Sequence, residues 1–241
     1  MLEIIRNGEN MRSDTPKIAI IIQARMNSSR LPGKIMMEWG EGTMLERIVQ
    51  RVSTSYLSDA IIVATTDSAV DDAVEALCTS MMVDCYRGSE HLVINRIVGA
   101  AQKCRADIVV RLTADNPFVD GSLIDLCLNE FLPRYPEIDY AANVDDCGFP
   151  FGLFVEVVKL NTLIGIMDDA TAEEAEHVTL HIRKHKDQFT IKNILAKQRY
   201  PDINLSVDTI EDRVRLLSVF STLYKKNPNF SLNDIANLEF N

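Results

Sequence analysis

The amino-acid sequence predicts an α/β protein with a mixed, mainly parallel sheet flanked by helices. Short runs rich in Ile and Val alternate with longer amphipathic stretches, which is typical of repeated βα units. The length of 241 residues suits one large domain, and no linker or low-complexity stretch divides the chain. We therefore predict a single domain over residues 17–241, preceded by a flexible leader over residues 1–16.

The first half of the chain is predicted to alternate strands and helices. The strands are predicted at 17–23, 60–65, 83–86 and 107–112, and the helices at 43–55, 68–79 and 89–104. Thr43 is the predicted N-cap of the first helix, because Glu46 follows it at the spacing of a capping box. Ser89 precedes the third helix and is a candidate N-cap there.

The second half continues the pattern with shorter strands. Helices are predicted at 122–131, 173–184, 210–224 and 231–238, and strands at 138–143, 154–158, 188–194 and 205–207. Pro117 ends the strand before it and favours extended geometry at Asn116. The turn-rich stretch 145–152 is predicted to be an active-site loop.

Charge and cysteine content restrict the possible partners. The net charge of −10 argues against a general nucleic-acid surface and against binding to anionic membranes. The five cysteines form no C-x-x-C pair, so neither a zinc site nor a disulfide framework is predicted, and a reduced, cytoplasmic setting fits. No run approaches the ~18 apolar residues of a membrane span, and residues 1–16 lack the apolar core of a signal peptide.

A basic loop over residues 23–34 follows the first predicted strand directly. Arg25, Arg30 and Lys34 can meet several phosphate oxygens, while Ser28 and Ser29 can donate neutral hydrogen bonds. In an acidic protein, such clustered cations indicate a local anion site suited to a polyphosphate. The spacing matches neither a Walker A loop nor G-x-G-x-x-G. A basic, solvated turn is the alternative interpretation.

Two aspartates follow predicted strands further along the chain. Asp115 and Asp208 converge with the basic loop if their strands share one sheet, and two carboxylates beside a polyphosphate suit Mg²⁺. The alternative is that each aspartate caps the next helix. Asp212, one helical turn after Asp208, either orients that acid or is a solvated helix residue, and the second interpretation is favoured.

Six segments of the chain resemble, in the same order, the motifs of the CMP-sugar synthetases, which activate 3-deoxy-manno-octulosonate and sialic-type acids with CTP. They lie at 25–34, 63–67, 87–90, 111–117, 176–179 and 205–209, and they are most similar to the SpsF-like branch of spore-coat polysaccharide biosynthesis. The resemblance implies a Rossmann-like nucleotidyltransferase fold, related to the GT-A fold. It also implies CTP and a sugar acid as substrates, Mg²⁺ as cofactor, release of pyrophosphate, and a homodimer.

The resemblance also implies roles for individual residues. Arg25, Lys34, Asp115 and Asp208 are the implied catalytic residues, with the two aspartates as metal ligands. The implied nucleotide-binding residues are Ala24, Arg25, Ser29, Arg30, Lys34, Thr66, Arg87 and Ser89. The implied sugar-binding residues are Phe149, Pro150, Gly152, Glu156 and His177. Glu156 is alternatively an ordinary strand residue that faces water.

Three features of the sequence leave questions for the structure. Ala114 stands where the resembling enzymes have Gly, which requires negative φ there. His177, His181 and His185 recur at helical spacing after Glu173, which suits either a transition metal or, as we favour, a solvated helix end. Recognition of a sugar carboxylate needs a cation, and the loop 145–152 contains none.

Two other functions stay open at this stage. One is a glycosyltransferase that uses a nucleotide sugar, although such enzymes commonly carry D-x-D and Asp115 is followed by Asn116 and Pro117. The other is a catalytically silent nucleotide-binding subunit of a glycan-assembly complex.

Overall fold

A computed structural model describes residues 15–198 and 200–237. Within this part of the chain, seven strands form one mixed sheet. They are β1 (Ile18–Gln23), β2 (Ala60–Thr66), β3 (Asp84–Gly88), β4 (Ile108–Thr113), β5 (Tyr140–Ala142), β6 (Glu156–Lys159) and β7 (Ile191–Asn193), in the order β3-β2-β1-β4-β6-β5-β7. The β6 strand runs antiparallel to both of its neighbours, and the other pairings are parallel. The predicted mixed, mainly parallel sheet is confirmed.

Helices cover both faces of this sheet. The longer ones are α1 (Met44–Val52), α2 (Asp72–Ser80), α3 (Val93–Lys103), α4 (Gly121–Phe131) and α8 (Ile210–Lys226). The shorter ones are α5 (Leu160–Ile166), α6 (Ala172–Glu176), α7 (Leu180–Lys184) and α9 (Leu232–Ala236). The capping box of Thr43 and Glu46 starts α1 as predicted. None of the helices in the described residues is long and apolar enough to cross a membrane.

Alternating strand residues divide the core into two layers. In β1, Ile20 and Ile22 face the layer formed with α1, α4 and α8, whereas Ala19 and Ile21 face the layer formed with α3, α5 and α7. This alternation follows from the two-residue period of a strand, and both faces are apolar because helices cover both. Both faces of the sheet are therefore packed against helices, and the loops after the parallel strands leave from their carboxyl ends.

Several predicted elements differ from the structure. The predicted helix 173–184 is two helices, because Val178 adopts a positive φ of 37° and turns the chain between α6 and α7. The predicted strand 205–207 is extended but pairs with loops rather than a strand, since Leu205 N donates to Phe151 O and Val207 N to Asp115 O. The α5 helix had no prediction.

Other boundaries shift by a few residues. Leu92, not Ser89, is the N-cap of α3, and the Ser89 hydroxyl accepts a hydrogen bond from Leu92 N in the turn before the helix. The predicted helix 231–238 is observed as α9, and residue 238 lies outside the described residues. The predicted leader 1–16 also lies outside them, apart from residues 15 and 16.

Candidate active site

The sheet brings the ends of β1 and β4 together. These strands are parallel neighbours, and their last residues Gln23 and Thr113 are paired in register. From β1 the chain proceeds to β2 and β3 on one side, and it later returns to β4 on the other side. Open α/β sheets bind ligands at such a switch in strand order. The basic loop and Asp115 leave the sheet at this point.

The loop after β1 is folded on itself by its own backbone. The amides of Ser28 and Gly33 both donate to Met26 O, at 2.9 and 2.8 Å. Gly33 adopts φ of 71°, which glycine tolerates without strain. The buried Asp71 accepts hydrogen bonds from the amides of Met26 and Thr66, and it fastens the loop to the end of β2. The loop is consequently held in place before any ligand arrives.

Lys34 joins the two aspartates predicted to act together. Its ammonium lies 3.2 Å from Asp208 Oδ1 and 3.7 Å from Asp115 Oδ2, and it also donates to Val207 O at 2.6 Å. Arg30 adds a second contact to Asp208 Oδ1 at 2.9 Å. Two carboxylates and two cations therefore meet around one point, although their residues are far apart in the chain.

These groups line a cavity of about 190 Å³, which we call the loop cavity. Its lining is polar and comes from the basic loop, the end of β4 and the segment before α8. The lining residues are Gln23, Ala24, Arg25, Ser28, Ser29, Arg30, Lys34, Ile35, Thr113, Ala114, Asp115 and Asp208. The structure thus unites the predicted residues of the loop with both aspartates.

Each aspartate is oriented by neighbouring side chains. Thr113 donates its hydroxyl to Asp115 Oδ1 at 2.6 Å and accepts from Asn116 Nδ2 at 2.9 Å. Asp212 accepts from the amides of Asp208 and Thr209, at 3.2 and 3.1 Å. The interpretation of Asp212 as a solvated helix residue is therefore wrong, because its carboxylate forms the cap that positions Asp208.

The pKa of Asp212 reflects this arrangement. Partial burial alone would raise it, but the amide hydrogen bonds from Asp208 and Thr209 outweigh that effect and lower the pKa below its usual range. The Asp212 carboxylate is therefore charged at neutral pH.

A second cavity of about 170 Å³, the arginine cavity, adjoins the first. Its lining residues are Arg111, Thr113, Val144, Phe154, Glu156, His177 and Arg183. Thr113 lines both cavities, so they share a wall. Arg183 lies 3.5 Å from Asp145, and its Nε is a buried donor without a partner among the described residues.

The loop 145–152 contains no cation of its own, but Arg183 lies beside it at Asp145, and Arg111 lines the same cavity as Arg183. The sequence analysis did not predict a role for Arg183, which lies in α7, and it included Arg111 only within the segment 111–117. An arginine inside the otherwise apolar β4 was the available signal for Arg111. No local signal marked Arg183, because its helix had been predicted as a solvated helix end.

Comparison with known proteins decides the family. A family model described as cytidylyltransferase matches residues 19–239. The chain belongs to the cytidylyltransferase family. Over 229 residues it is 34% identical to the spore coat polysaccharide biosynthesis protein SpsF of Bacillus subtilis, covering 92% of this chain and 93% of that protein. It also matches, at 32% identity over 109 residues, a 3-deoxy-manno-octulosonate cytidylyltransferase of Geobacter metallireducens, covering 45% of this chain and 42% of that protein.

Solved structures agree with this assignment. A cytidylyltransferase from Leptospira borgpetersenii serovar Hardjo-bovis has a TM-score of 0.83 at 30% identity, covering 94% of this chain and all of that chain. CMP:2-keto-3-deoxy-manno-octonic acid synthetase complexed with CTP has a TM-score of 0.65 at 19% identity, covering 86% and 99%, and supports the fold. The predicted Rossmann-like nucleotidyltransferase fold is confirmed. The chain is a CTP-dependent nucleotidyltransferase, and this family favours neither the glycosyltransferase nor the silent-subunit alternative.

In this cytidylyltransferase, the backbone tolerates the residue that departs from the resembling enzymes. The described non-glycine residues with positive φ are Met82, Arg105, Asp146 and Val178. Ala114 is not among them, so its methyl group causes no backbone strain. Asn116 is 4% exposed, and its Oδ1 has no hydrogen-bond partner among the described residues.

The other predicted nucleotide-binding residues differ in whether they line the loop cavity. Ala24 and Arg25 line it, whereas Thr66, Arg87 and Ser89 are not among its lining residues. Ala24 N donates to Ala64 O at 3.1 Å, which ties the loop to β2. The buried Thr66 donates its hydroxyl to Asp71. Arg25 lies 3.8 Å from Glu90 and 3.9 Å from Glu176, so its guanidinium lies between the turn before α3 and the end of α6.

Arg87 is held away from the loop cavity. Its Nε donates to Thr66 O at 3.0 Å and one terminal nitrogen to Ser68 O at 2.8 Å. The other terminal nitrogen contacts Asp72 at 2.7 Å and Glu75 at 2.9 Å, and these two hydrogen bonds raise the pKa of Arg87. Arg87 therefore fastens β3 to the start of α2.

Glu156 lines the arginine cavity from a fully buried position. It accepts hydrogen bonds from Arg111, from Thr179 and, at 2.7 Å, from the Tyr140 hydroxyl. Burial alone would raise its pKa, but the Arg111 charge and the two hydroxyls outweigh that effect and lower it. The alternative of a strand residue facing water is wrong, because β6 lies inside the sheet.

The predicted sugar-binding loop packs against the segment that precedes Asp208. Phe149 stacks on Tyr200 with ring centroids 5.9 Å apart, and Pro150 is buried. Gly152 adopts φ of 87°, and a Cβ added there would lie 2.5 Å from Ser206 N, so the position requires glycine on both grounds. None of these three residues lines either cavity among the described residues, whereas Phe154 and His177 line the arginine cavity.

Proposed function

We propose that this cytidylyltransferase transfers CMP from CTP to an acidic sugar of the 2-keto acid class and releases pyrophosphate, in surface polysaccharide or glycan biosynthesis. The observation that carries the proposal is a cation-lined cavity with two acids, which shares Thr113 with a second cavity lined by two arginines. The names of the relatives, spore coat polysaccharide biosynthesis protein and 3-deoxy-manno-octulosonate cytidylyltransferase, support the acceptor class.

The loop cavity suits the triphosphate of CTP. Arg30 and Lys34 offer positive charge at the acid pair, and Ser28 and Ser29 add neutral donors from the same loop. These groups can neutralise the negative charge that develops on the leaving pyrophosphate. Because the loop is fixed by hydrogen bonds to its own backbone and to Asp71, little reorganisation accompanies binding.

The acid pair fits Mg²⁺. Oxygens of Asp115 and Asp208 both lie within 3.7 Å of the Lys34 ammonium, so the two carboxylates face the same region of the loop cavity and could hold a small cation beside that lysine. An all-oxygen donor set with room for phosphate oxygens is the set Mg²⁺ prefers. When bound, Mg²⁺ would supply Lewis-acid stabilisation of charge on the α-phosphate and on the attacking hydroxyl. Thr113 and Asp212 hold the two carboxylates ready for this role.

The arginine cavity suits the acceptor. Arg183 and Arg111 both line this cavity, where Arg111 is also paired with Glu156, and a guanidinium can donate two hydrogen bonds to a carboxylate. His177 can bind sugar hydroxyls from the same wall. A sugar held here would direct one hydroxyl past Thr113 toward the loop cavity, where the α-phosphorus of CTP would lie.

A substrate panel tests the proposal. Each of the four NTPs is combined with 3-deoxy-manno-octulosonate, a sialic-type acid and the corresponding neutral sugars, and pyrophosphate release and CMP-sugar mass are measured. We expect product from CTP and at least one 2-keto acid, and none from the neutral sugars. Turnover with a neutral sugar and not with its acid would reject the acceptor assignment, and turnover with another NTP in preference to CTP would reject the donor.

Two further predictions concern the oligomeric state and the location of the protein. A homodimer is expected from the resemblance to CMP-sugar synthetases, and light scattering of the purified chain measures it. The cytoplasmic location stays a prediction from cysteine usage, in keeping with free thiols for all five cysteines.

A further inference from the structure

A second group of possible metal ligands lies outside the loop cavity. Among the residues that the structure describes, Glu174, His181 and His185 place one ligand atom each within 4.8 Å of the others. Glu174 belongs to α6, His181 to α7, and His185 ends α7. The turn at Val178 brings the two short helices side by side, which no sequence spacing could indicate.

The separations are close to those of a metal site. His181 Nδ1 lies 3.2 Å from Glu174 Oε2, and His185 Nε2 lies 3.9 Å from Glu174 Oε1. The two imidazole rings are adjacent, with centroids 4.4 Å apart. Tetrahedral Zn²⁺ with bonds of ~2.1 Å has ligand atoms about 3.4 Å from one another. The Glu174–His181 separation is close to this value, and the Glu174–His185 separation exceeds it by about 0.5 Å.

The ligands are held before any metal arrives. Thr171 N donates to Glu174 Oε2 at 3.0 Å in the capping box of α6, and this bond fixes the carboxylate. Glu174 is 4% exposed and His181 is 9% exposed. The side chain of His185 is 42% exposed, so one side of the group is open to solvent. The favoured interpretation of a solvated helix end is wrong for His181, which is buried.

One cation competes for the same carboxylate. Lys184 Nζ lies 3.9 Å from Glu174 Oε1, but it lies only 2.7 Å from Glu173 Oε2. Glu173 thus holds the lysine at the rim, and both oxygens of Glu174 still face an imidazole. The sequence had suggested Glu173 as the acid of this group, and the structure replaces it with Glu174.

We propose that Glu174, His181 and His185 form a binding site for a divalent transition metal, with Zn²⁺ as the preferred ion. Two imidazoles and one carboxylate are ligands typical of Zn²⁺, whereas the oxygen-only pair Asp115 and Asp208 suits Mg²⁺. The fourth position faces solvent beside His185. The two metal sites therefore differ in chemistry and do not compete for the same ion.

The metal would fasten α6 to α7. Each of these helices has five residues, a length that is not stable by itself. His177, which ends α6, and Arg183, in α7, both line the arginine cavity. A bound ion would stabilise the wall of that cavity without contacting the reacting groups.

Co²⁺ provides the direct test, because a four-coordinate site with imidazole ligands absorbs visible light much more strongly than an octahedral oxygen site. Wild-type protein is titrated with Co²⁺ and, in competition, Zn²⁺, in excess Mg²⁺ that occupies the oxygen site. We expect one equivalent of strongly absorbing Co²⁺, displaced by Zn²⁺. The variants Glu174→Gln and His185→Gln should bind at least about 100-fold more weakly.

Glu173→Gln is the matched control, because it removes a neighbouring acid that is not a proposed ligand. We expect it to bind Co²⁺ as tightly as wild type or more tightly. Circular dichroism establishes that each variant is folded, and His185→Gln, at a half-exposed position, keeps the test valid if Glu174→Gln is not. Equal absorption in His185→Gln and wild type overturns the proposal, as does loss of the absorption in an Asp115→Asn, Asp208→Asn double variant.

Discussion

The ammonium of Lys34 lies 3.2 Å from Oδ1 of Asp208, which is 174 positions later in the chain. Lys34 is 7% exposed, so this contact is largely shielded from water, and its second partner Val207 O belongs to the same segment. The basic loop and the segment before α8 are thereby joined at the point where Asp115 also arrives. This contact connects three separate parts of the sequence into one wall of the loop cavity, where we propose that the triphosphate binds.

Replacing Lys34 with Met should remove that connection with little change in side-chain length. We expect turnover to fall by about 10²–10³, since the leaving pyrophosphate loses a buried cation. Pyrophosphate release at saturating CTP measures the effect. Lys103→Met, which changes a lysine on α3 that contacts Asp84, is the control and should keep normal turnover. Equal rates in the two variants would contradict a role for Lys34 in the reaction.

Asp115→Asn should lower kcat by about 10² or more while the fold is kept, because the amide is a weaker ligand for a hard cation and carries no charge. The measurement is steady-state turnover across a range of Mg²⁺ concentrations. Asp84→Asn, an exposed acid on β3, is the control. Near-wild-type turnover of Asp115→Asn would refute its assignment as a metal ligand.

Thr113→Val tests the orientation of the Asp115 carboxylate while its charge is kept. The hydroxyl that joins Asn116 to Asp115 is lost, which leaves a buried amide without partners and costs about 1–3 kcal/mol of unfolding free energy. We expect kcat to fall by about 10-fold or more, because the Asp115 carboxylate is free to rotate. Thr113→Ser keeps the hydroxyl and should restore both values. Failure of Ser to restore kcat would mean that the methyl group, not the hydrogen bond, is needed.

Glu156 should make stability depend on pH. Its pKa is lowered in the folded protein, so its stabilising contribution is fully present above the ordinary glutamate pKa of about 4.3 and is lost as pH falls through the lowered value. Glu156→Gln should be less stable at pH 7 by about 3–5 kcal/mol, because Arg111 loses its buried partner.

Urea unfolding at pH 7 and at successive values below pH 5 checks this prediction. The free energy of unfolding of the wild type should fall more steeply with decreasing pH than that of Glu156→Gln. Parallel curves for the two proteins would show that Glu156 is not the titrating group.

Gly152→Ala should destabilise the packing of the loop 145–152 against Ser206, in the segment that precedes Asp208. The added Cβ would meet Ser206 N at 2.5 Å, and φ of 87° strains any other residue, so we expect a loss of at least about 1 kcal/mol of unfolding free energy. Gly165→Ala is the matched control, since its Cβ would meet nothing within 4 Å in α5 and should stabilise by about 0.5–1 kcal/mol. Thermal unfolding of both variants measures the difference. A neutral Gly152→Ala would show that the loop can move away from Ser206.

The sequence predicted correctly those elements that have a signal in their own short stretch of the chain, and it missed those that have none. The β1 strand and its basic loop were predictable, because an apolar run followed by clustered cations is a local pattern. The helix α5 was missed because Lys159 is its N-cap and forms no side-chain cap, so the usual starting signal is absent. The break at Val178 was missed because nothing in the local pattern predicts a positive φ at a β-branched residue.

The sequence by itself determined the fold class, the basic loop and the two aspartates. Strand periodicity, clustered charges and acids at strand ends are each recognisable within a short stretch of the chain. Only the tertiary structure decided that Arg111 and Arg183 share a cavity, that Asp212 caps the segment of Asp208, and that Glu174 faces two histidines. Those relationships join elements that are distant along the chain. Their geometry depends on how the helices pack against both faces of the sheet, and this packing gives no signal in a short stretch of sequence.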